Sequence, residues 1–224
     1  MKNLNFDLIF FDNPISRSYL NILRNKKIKV NNIFYFSKKN LLPASVHIFF
    51  NFHKNNYYPK KFLKDKNLKP ILNDILDYFN YEQNYFEEMY DYQNPGNHCN
   101  RLKVFKTENI NSQFVIDEIR KTTSSFLLNT SNKIYKEIFL TKKKFVHIHP
   151  AILPDFRGAD ASLWFLLLRN KIGSTSFVMN EEIDKGQIIN ISDVKDIFYL
   201  SKSIFKKFDI NNIYRIWFSF VDPL

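Results

Sequence analysis

The sequence predicts an α/β fold built on a parallel-rich sheet, and three observations carry that prediction. Residues 6–11 (FDLIFF) form a short apolar run closed by Asp12, Asn13 and Pro14, and residues 28–36 form a second strand-like run. The stretch between them has the length and start signal of one helix, so the chain opens as a strand–helix–strand unit, which requires parallel strands. After Leu102, short apolar runs again alternate with amphipathic stretches.

Taken in order, residues 6–11 read as a buried strand, and Ser16 is placed to cap a helix reaching about Arg24. Residues 28–36 follow as the second strand. Ligands in such sheets bind beyond the carboxyl ends of the strands, which puts residues 12–17 at a ligand-facing edge. Residues 41–100 are the least legible part. Within them, 47–52 reads as a strand or a buried helical turn, and 70–89 reads as helical, with Ile71, Ile75, Tyr78 and Phe79 near helical spacing. Residues 90–100 (YDYQNPGNHCN) have loop composition. Residues 102–106 read as a strand. Asn109 or Asn111 is placed to cap a helix to Lys121, with Ile110, Phe114, Val115 and Ile119 as its apolar positions. Strands are expected at 125–128, 145–149, 174–179 and 188–191, and helices at 135–140 and 161–169.

The chain has 224 residues, 45% of them hydrophobic, with 24 Phe and 12 Tyr, enough for one large core. The expected division is a catalytic domain over 1–200 and a helical tail over 201–224, with continuation beyond the last residue left open. No apolar run is long enough to cross a bilayer, and the first residues lack a signal pattern. The single cysteine, Cys99, excludes an internal disulfide framework. A cytoplasmic location is expected, with no membrane partner. The net charge is +11. Basic runs such as 24–29 and 142–144 are short, so a solvated surface is favoured over an anionic macromolecular partner, and nucleic acid is not expected.

Three of the four glycines, Gly158, Gly173 and Gly186, fall within residues 145–189, beside His147 and His149. Side chains alternate along a strand, so Phe145, His147 and His149 share one face, and Pro150 ends the pairing. Two imidazoles then project to one place near a strand end, and Asp184 waits in a later loop.

These residues carry a resemblance. His149-Pro150-Ala151-Ile152-Leu153-Pro154, then Arg157-Gly158, then Trp164 in a helix, then Gly173-Ser174-Thr175 and Ile183-Asp184-Lys185-Gly186-Gln187-Ile188, are similar in kind and order to the motifs of the 10-formyltetrahydrofolate-dependent formyltransferases. That family includes glycinamide ribonucleotide, methionyl-tRNA and amino-sugar formyltransferases. The resemblance spans about residues 125–190 and is only architectural over 1–40. It implies a Rossmann-like sheet with helices on both faces, of formyltransferase type. It also implies 10-formyltetrahydrofolate as formyl donor and a small amine as partner, with homodimerisation left open. His149 and Asp184 are implied as catalytic groups. His147 stands where the family has Asn, and is expected to serve the developing oxyanion in its place. The folate is expected against Ser131, Asn132, Ile134, Met179, Glu181, Glu182 and Ile183. Asp12, Asn13, Arg17, Arg157 and Gly158 are the expected contacts to the amine substrate.

The turn after the first strand lacks the glycines of a phosphate loop, which disfavours glycinamide ribonucleotide. What remains is an amino sugar carried on a nucleotide, with Arg17 or Arg157 meeting a phosphate. Three alternatives stay open. One is a methionyl-tRNA formyltransferase-like protein without a C-terminal domain. Another is a metal-dependent hydrolase using His147, His149 and Asp184, although no resident metal is expected. The third is a catalytically altered, non-enzymatic relative.

Overall fold

The computed structural model describes residues 2–39, 41–194 and 204–224. Seven strands form one sheet: β1 (Lys2–Phe11), β2 (Ile28–Phe36), β3 (Cys99–Phe105), β4 (Phe126–Asn129), β5 (Lys144–His149), β6 (Ile172–Val178) and β7 (Gln187–Val194), in the order β3-β2-β1-β4-β5-β6-β7. The pairs from β3 through β5 are parallel, and β5–β6 and β6–β7 are antiparallel. This is an α/β fold. The strand order reverses between β1 and β4, so their carboxyl ends open a crevice of the kind that holds ligands in such sheets.

Alternation along the strands sends successive side chains to two cores. Ile9, Phe11, Phe34, Phe36, Leu127 and Phe145 pack beneath α6 (Gln113–Arg120). Leu8, Phe10, Ile33 and Tyr35 pack on the other face, with Leu20 and Leu23 of α1 (Pro14–Asn25) and Ile48 of α2 (Ala44–Asn55). Helices therefore cover both faces.

Several boundaries differ from expectation. Asn13, not Ser16, caps α1: its Oδ1 accepts the Ser16 N–H at 2.8 Å. The first strand begins at Lys2, because its edge residues pair with β2 although they are polar. Residues 47–52 lie in α2, followed by α3 (Tyr57–Leu63). The stretch 70–89 is two helices, α4 (Lys69–Tyr78) and α5 (Tyr85–Tyr90), broken where Asn80 takes φ 58°. Ser112 rather than Asn109 or Asn111 occupies the cap position of α6, and Phe114 is 53% exposed. Strand β3 begins inside the stretch read as a loop. Residues 135–140 form one short 3₁₀ turn, Glu137–Thr141, instead of a helix. The helix α7 (Ala161–Arg169) forms as expected.

Residues 201–203 of the expected tail lie outside the described residues. The described remainder contains α8 (Ile210–Ile216) and a π turn, Trp217–Val221. Ile213, Ile216, Trp217, Phe220 and Val221 share a core with α4 and α5, so this segment is packed into the body of the protein.

Candidate active site

Strand β5 delivers both histidines. Phe145 points into the core under α6, and period-two alternation puts His147 and His149 on that face near the carboxyl end. His149 is 3% exposed, and its Nε2–H donates to the Phe156 carbonyl at 2.8 Å. That bond assigns the proton to Nε2 and leaves the Nδ1 lone pair open. Asp184 Oδ2 lies 3.9 Å from Nδ1, too far for a direct hydrogen bond. The same oxygen accepts the Gly158 N–H at 2.9 Å, so Asp184 is tethered from a second loop. Asp184 adopts φ 54°, a left-handed conformation that Asp tolerates better than most residues. Burial lowers the pKa of His149, while the Asp184 charge and the Phe156 carbonyl oppose the shift. The imidazole is neutral at neutral pH, with a lone pair aimed across a narrow gap at a carboxylate.

His147 is held differently. Its Nδ1 lies 3.2 Å from the Asn129 carbonyl, and Phe177 packs edge-on against the ring. Burial lowers its pKa, and the neighbouring His149 adds to that. A neutral His147 that donates from Nδ1 presents an acceptor at Nε2. Nδ1 also lies 3.4 Å from Asn129 Nδ2, and in the tautomer that accepts there Nε2 carries the proton. His147 offers an outward N–H only when protonated or in that second tautomer.

Asn129, which the sequence did not single out, and Thr175, quoted only within a motif, organise the site. The Asn129 Oδ1, at the end of β4, accepts from Ser131 N, Ser131 Oγ and Tyr135 Oη, at 2.8, 2.8 and 2.6 Å. Its Nδ2 reaches Met179 Sδ at 3.6 Å, which joins the loop after β4 to the loop after β6. Thr175, fully buried, donates to Ala151 O at 2.8 Å and accepts from Leu153 N at 3.0 Å, fixing the loop after His149. A polar run, Asn-Thr-Ser, directly after an apolar strand was the available signal for the first of these.

The expected folate contacts divide. Ser131 is buried and spent on Asn129, and the Ile134 carbonyl accepts from Asn111, so neither offers those groups to a ligand. Met179 donates its N–H to Phe145 O, and Glu182 pairs with Lys185. Asn132, Glu181 and the apolar side chains of Ile134 and Ile183, 58% and 63% exposed, remain open.

The expected substrate contacts need a larger correction. Asp12 and Arg17 form a bidentate pair, both bonds 2.7 Å, with side chains 1% and 0% exposed. Arg17 also donates to Gln93 O and lies 4.2 Å over the Phe52 ring. It is closed to any ligand phosphate. Asn13 caps α1 and donates to Thr130 O. Arg157 and Gly158 are exposed, with Gly158 N–H already given to Asp184. Among the described residues, no three His, Cys, Asp or Glu side chains converge as a metal-ligand group, so His147, His149 and Asp184 do not form the set that a hydrolase reading requires.

A doubly covered, mostly parallel sheet that brings a histidine and a carboxylate together defines an α/β protein with a His–Asp pair. Residues 103–201, which carry both histidines and Asp184, match the formyl transferase family model. The chain is 28% identical over 98 residues to a methionyl-tRNA formyltransferase of Finegoldia magna, covering 42% of this chain and 32% of that protein. The chain thus spans about a third of the length of that relative. Among solved structures, a sugar N-formyltransferase from Shewanella sp. FDAARGOS_354 aligns with TM-score 0.47 and 14% identity, over 99% of this chain and 69% of the other. A phosphoribosylglycinamide formyltransferase from Campylobacter jejuni aligns with TM-score 0.49 and 13% identity, over 99% and 92%.

Proposed function

We propose that the protein is an N-formyltransferase that moves a formyl group from 10-formyltetrahydrofolate to a small amine, with an amino sugar on a nucleotide as the favoured acceptor. One observation carries the reading. In the segment that matches the formyl transferase family, His149 Nδ1 and Asp184 Oδ2 face each other at 3.9 Å, each held from behind, by Phe156 O and Gly158 N–H respectively.

Two acceptors facing one another attract a proton donor between them. His149 Nδ1 takes the proton that the amine sheds as it adds to the formyl carbon, Asp184 stabilises the imidazolium so formed, and the imidazolium returns that proton to the folate nitrogen as the bond from that nitrogen to the formyl carbon breaks. The bond from Nε2 to Phe156 O keeps the ring in the tautomer this requires. The folate supplies the formyl group. Asn132, Ile134, Glu181 and Ile183 would hold it, and the tie between Asn129 and Met179 sets the spacing of their two loops.

A cavity of about 240 Å³ lined by Tyr19, Ile148, Pro150, Ser174, Trp217 and Asp222 lies on the α1 side of the sheet, opposite the face that carries His147 and His149, so it is not assigned to the amine. Of the two arginines expected to meet a phosphate, Arg17 is buried on Asp12, and exposed Arg157 is left for that contact.

The test is a panel of amines incubated with 10-formyltetrahydrofolate while tetrahydrofolate release is followed. His149→Ala and Asp184→Asn are each expected to lower kcat by about 10² or more, with folding confirmed by circular dichroism. Full activity in both variants would remove the mechanism. Turnover of methionyl-tRNA but of no small amine would replace the acceptor.

A further inference from the structure

Residues 38–69 hold eight lysines and one acid, Asp65, so a segment of 32 residues carries a net +7 of the chain's +11. The same segment shows an unusual helix. The buried side chains of α2 are His47, Ile48 and Phe52. Its opposite face would be polar on an ordinary surface helix. Instead Val46, Phe49 and Phe50, spaced i, i+3 and i+4, are 48%, 49% and 54% exposed. Leu41 before the helix is 96% exposed and Tyr57 after it 63%. In the same segment Lys38, Lys39, Lys54 and Lys61 are exposed, and half-buried Lys60 lies 5.0 Å over the ring of buried Phe52.

We infer that this face docks on an anionic phospholipid surface, with Val46, Phe49 and Phe50 entering the headgroup–acyl boundary and the segment's lysines meeting lipid phosphates. An exposed apolar helix face within a strongly cationic segment is the pattern of helices that lie in a bilayer interface. A second copy of the chain is disfavoured by the same charge, because a two-fold contact would set +7 against +7. A nucleic acid would need the cations and hydrogen-bonding groups at the centre of the contact, where aromatic and aliphatic side chains stand. No described helix is long and apolar enough to cross a membrane, and surface docking requires none. The inference does not depend on the catalytic reading.

The experiment is co-sedimentation of the full chain with vesicles of phosphatidylcholine alone and of phosphatidylcholine with one quarter phosphatidylglycerol. Expected is binding to the anionic vesicles that weakens with salt, and at least tenfold weaker partition to the neutral ones. Phe49→Ser with Phe50→Ser, and Lys60→Glu with Lys61→Glu, should each lower anionic partition about tenfold or more. Loss of one lysine contact alone is worth roughly fivefold. Phe49 and Phe50 belong to none of the buried clusters, although Phe49 packs edge-on against Tyr92 and His53, so circular dichroism should match the parent's in that double variant, and His149→Ala should bind as the parent does. Absence of partition, or partition that both double variants leave unchanged, overturns the inference. Tight binding to an oligonucleotide or polyglutamate that survives the Phe49/Phe50 change overturns it in favour of a polyanion site.

Discussion

His149 and Asp184 work only in defined protonation states, which makes pH the sharpest probe of single residues. Burial lowers the His149 pKa below its ordinary 6.5, so the free base persists into mild acid. Formyl transfer is expected to be flat from pH 8 to near 6.5 and to fall on the acid side, with a midpoint below 6.5 in kcat/KM. A midpoint at or above 7 would contradict the lowered value. His147 offers a second reading of the same profile. In the tautomer that gives Nδ1–H to Asn129 O, it lacks an outward donor at neutral pH. His147→Asn, whose amide always carries N–H, is therefore expected to raise kcat at pH 7.5 severalfold, and His147→Ala to leave it unchanged or lower. The histidine pair and the distant acid were legible in the sequence because spacing and motif order survive without coordinates. The fate of Asp12 and Arg17 was not. Nothing in Asp-Asn-Pro-Ile-Ser-Arg says whether the two charges face a ligand or each other, and that depends on Phe52 and Gln93 arriving from elsewhere in the chain.

At the scale of elements, two short connections set the site, and both rest on small residues or caps. Asn13 caps α1 and donates to Thr130 O, so it couples the helix to the crevice at the end of β4. Asn13→Ala should cost about 1 kcal/mol, read as a lower urea midpoint with unchanged m-value. Gly186 has the stricter demand. A Cβ there would stand 1.7 Å from Val178 O and 2.9 Å from a Phe177 ring atom, and the first neighbour is backbone. Gly186→Ala must push β6 and β7 apart at the loop that carries Asp184, so a loss of about 3 kcal/mol or more is expected, together with lost activity. A variant as stable as the parent would show that this loop sits otherwise. Elements were legible where the apolar pattern spanned the whole element, as in residues 28–36 and 161–169. They were misread where a turn residue interrupts a helical pattern. Ile71, Ile75 and Tyr78 fit one helix, and only the left-handed Asn80 reveals that it stops. The order of the sheet, and the reversal of β6 against the other strands, depend on pairings between distant segments that no local pattern encodes.

For the molecule as a whole, the histidines outside and inside the site act together on stability. His47, His98, His147 and His149 all have lowered pKa values, in each case chiefly from burial. Below pH 6.5 the unfolded chain takes up protons that these folded imidazoles refuse. The unfolded state then binds more protons than the native one, so stability falls as pH drops, by at most about 1.4 kcal/mol per pH unit for each histidine. The loss starts near 6.5 and ends for each residue once its folded pKa is passed. Asp222 acts in the opposite sense. Burial raises its pKa from 3.8 to about 6, while Ser162 and Trp217 oppose the shift with hydrogen bonds. Between those values the folded state holds a proton that the unfolded carboxylate has lost, so acidification through that window stabilises the fold. Urea midpoints should thus be level from pH 8 to 7 and decline from 6.5. Asp222→Asn removes the opposing contribution, since an amide has no proton to gain. Its decline between pH 6 and 4 should be steeper than the parent's, while the two proteins respond alike to pH above 7. Parallel curves for parent and variant across the acid range would mean that Asp222 titrates in the folded protein as it does in water, and that the packing of the C-terminal segment against Ser162 does not bury it in solution.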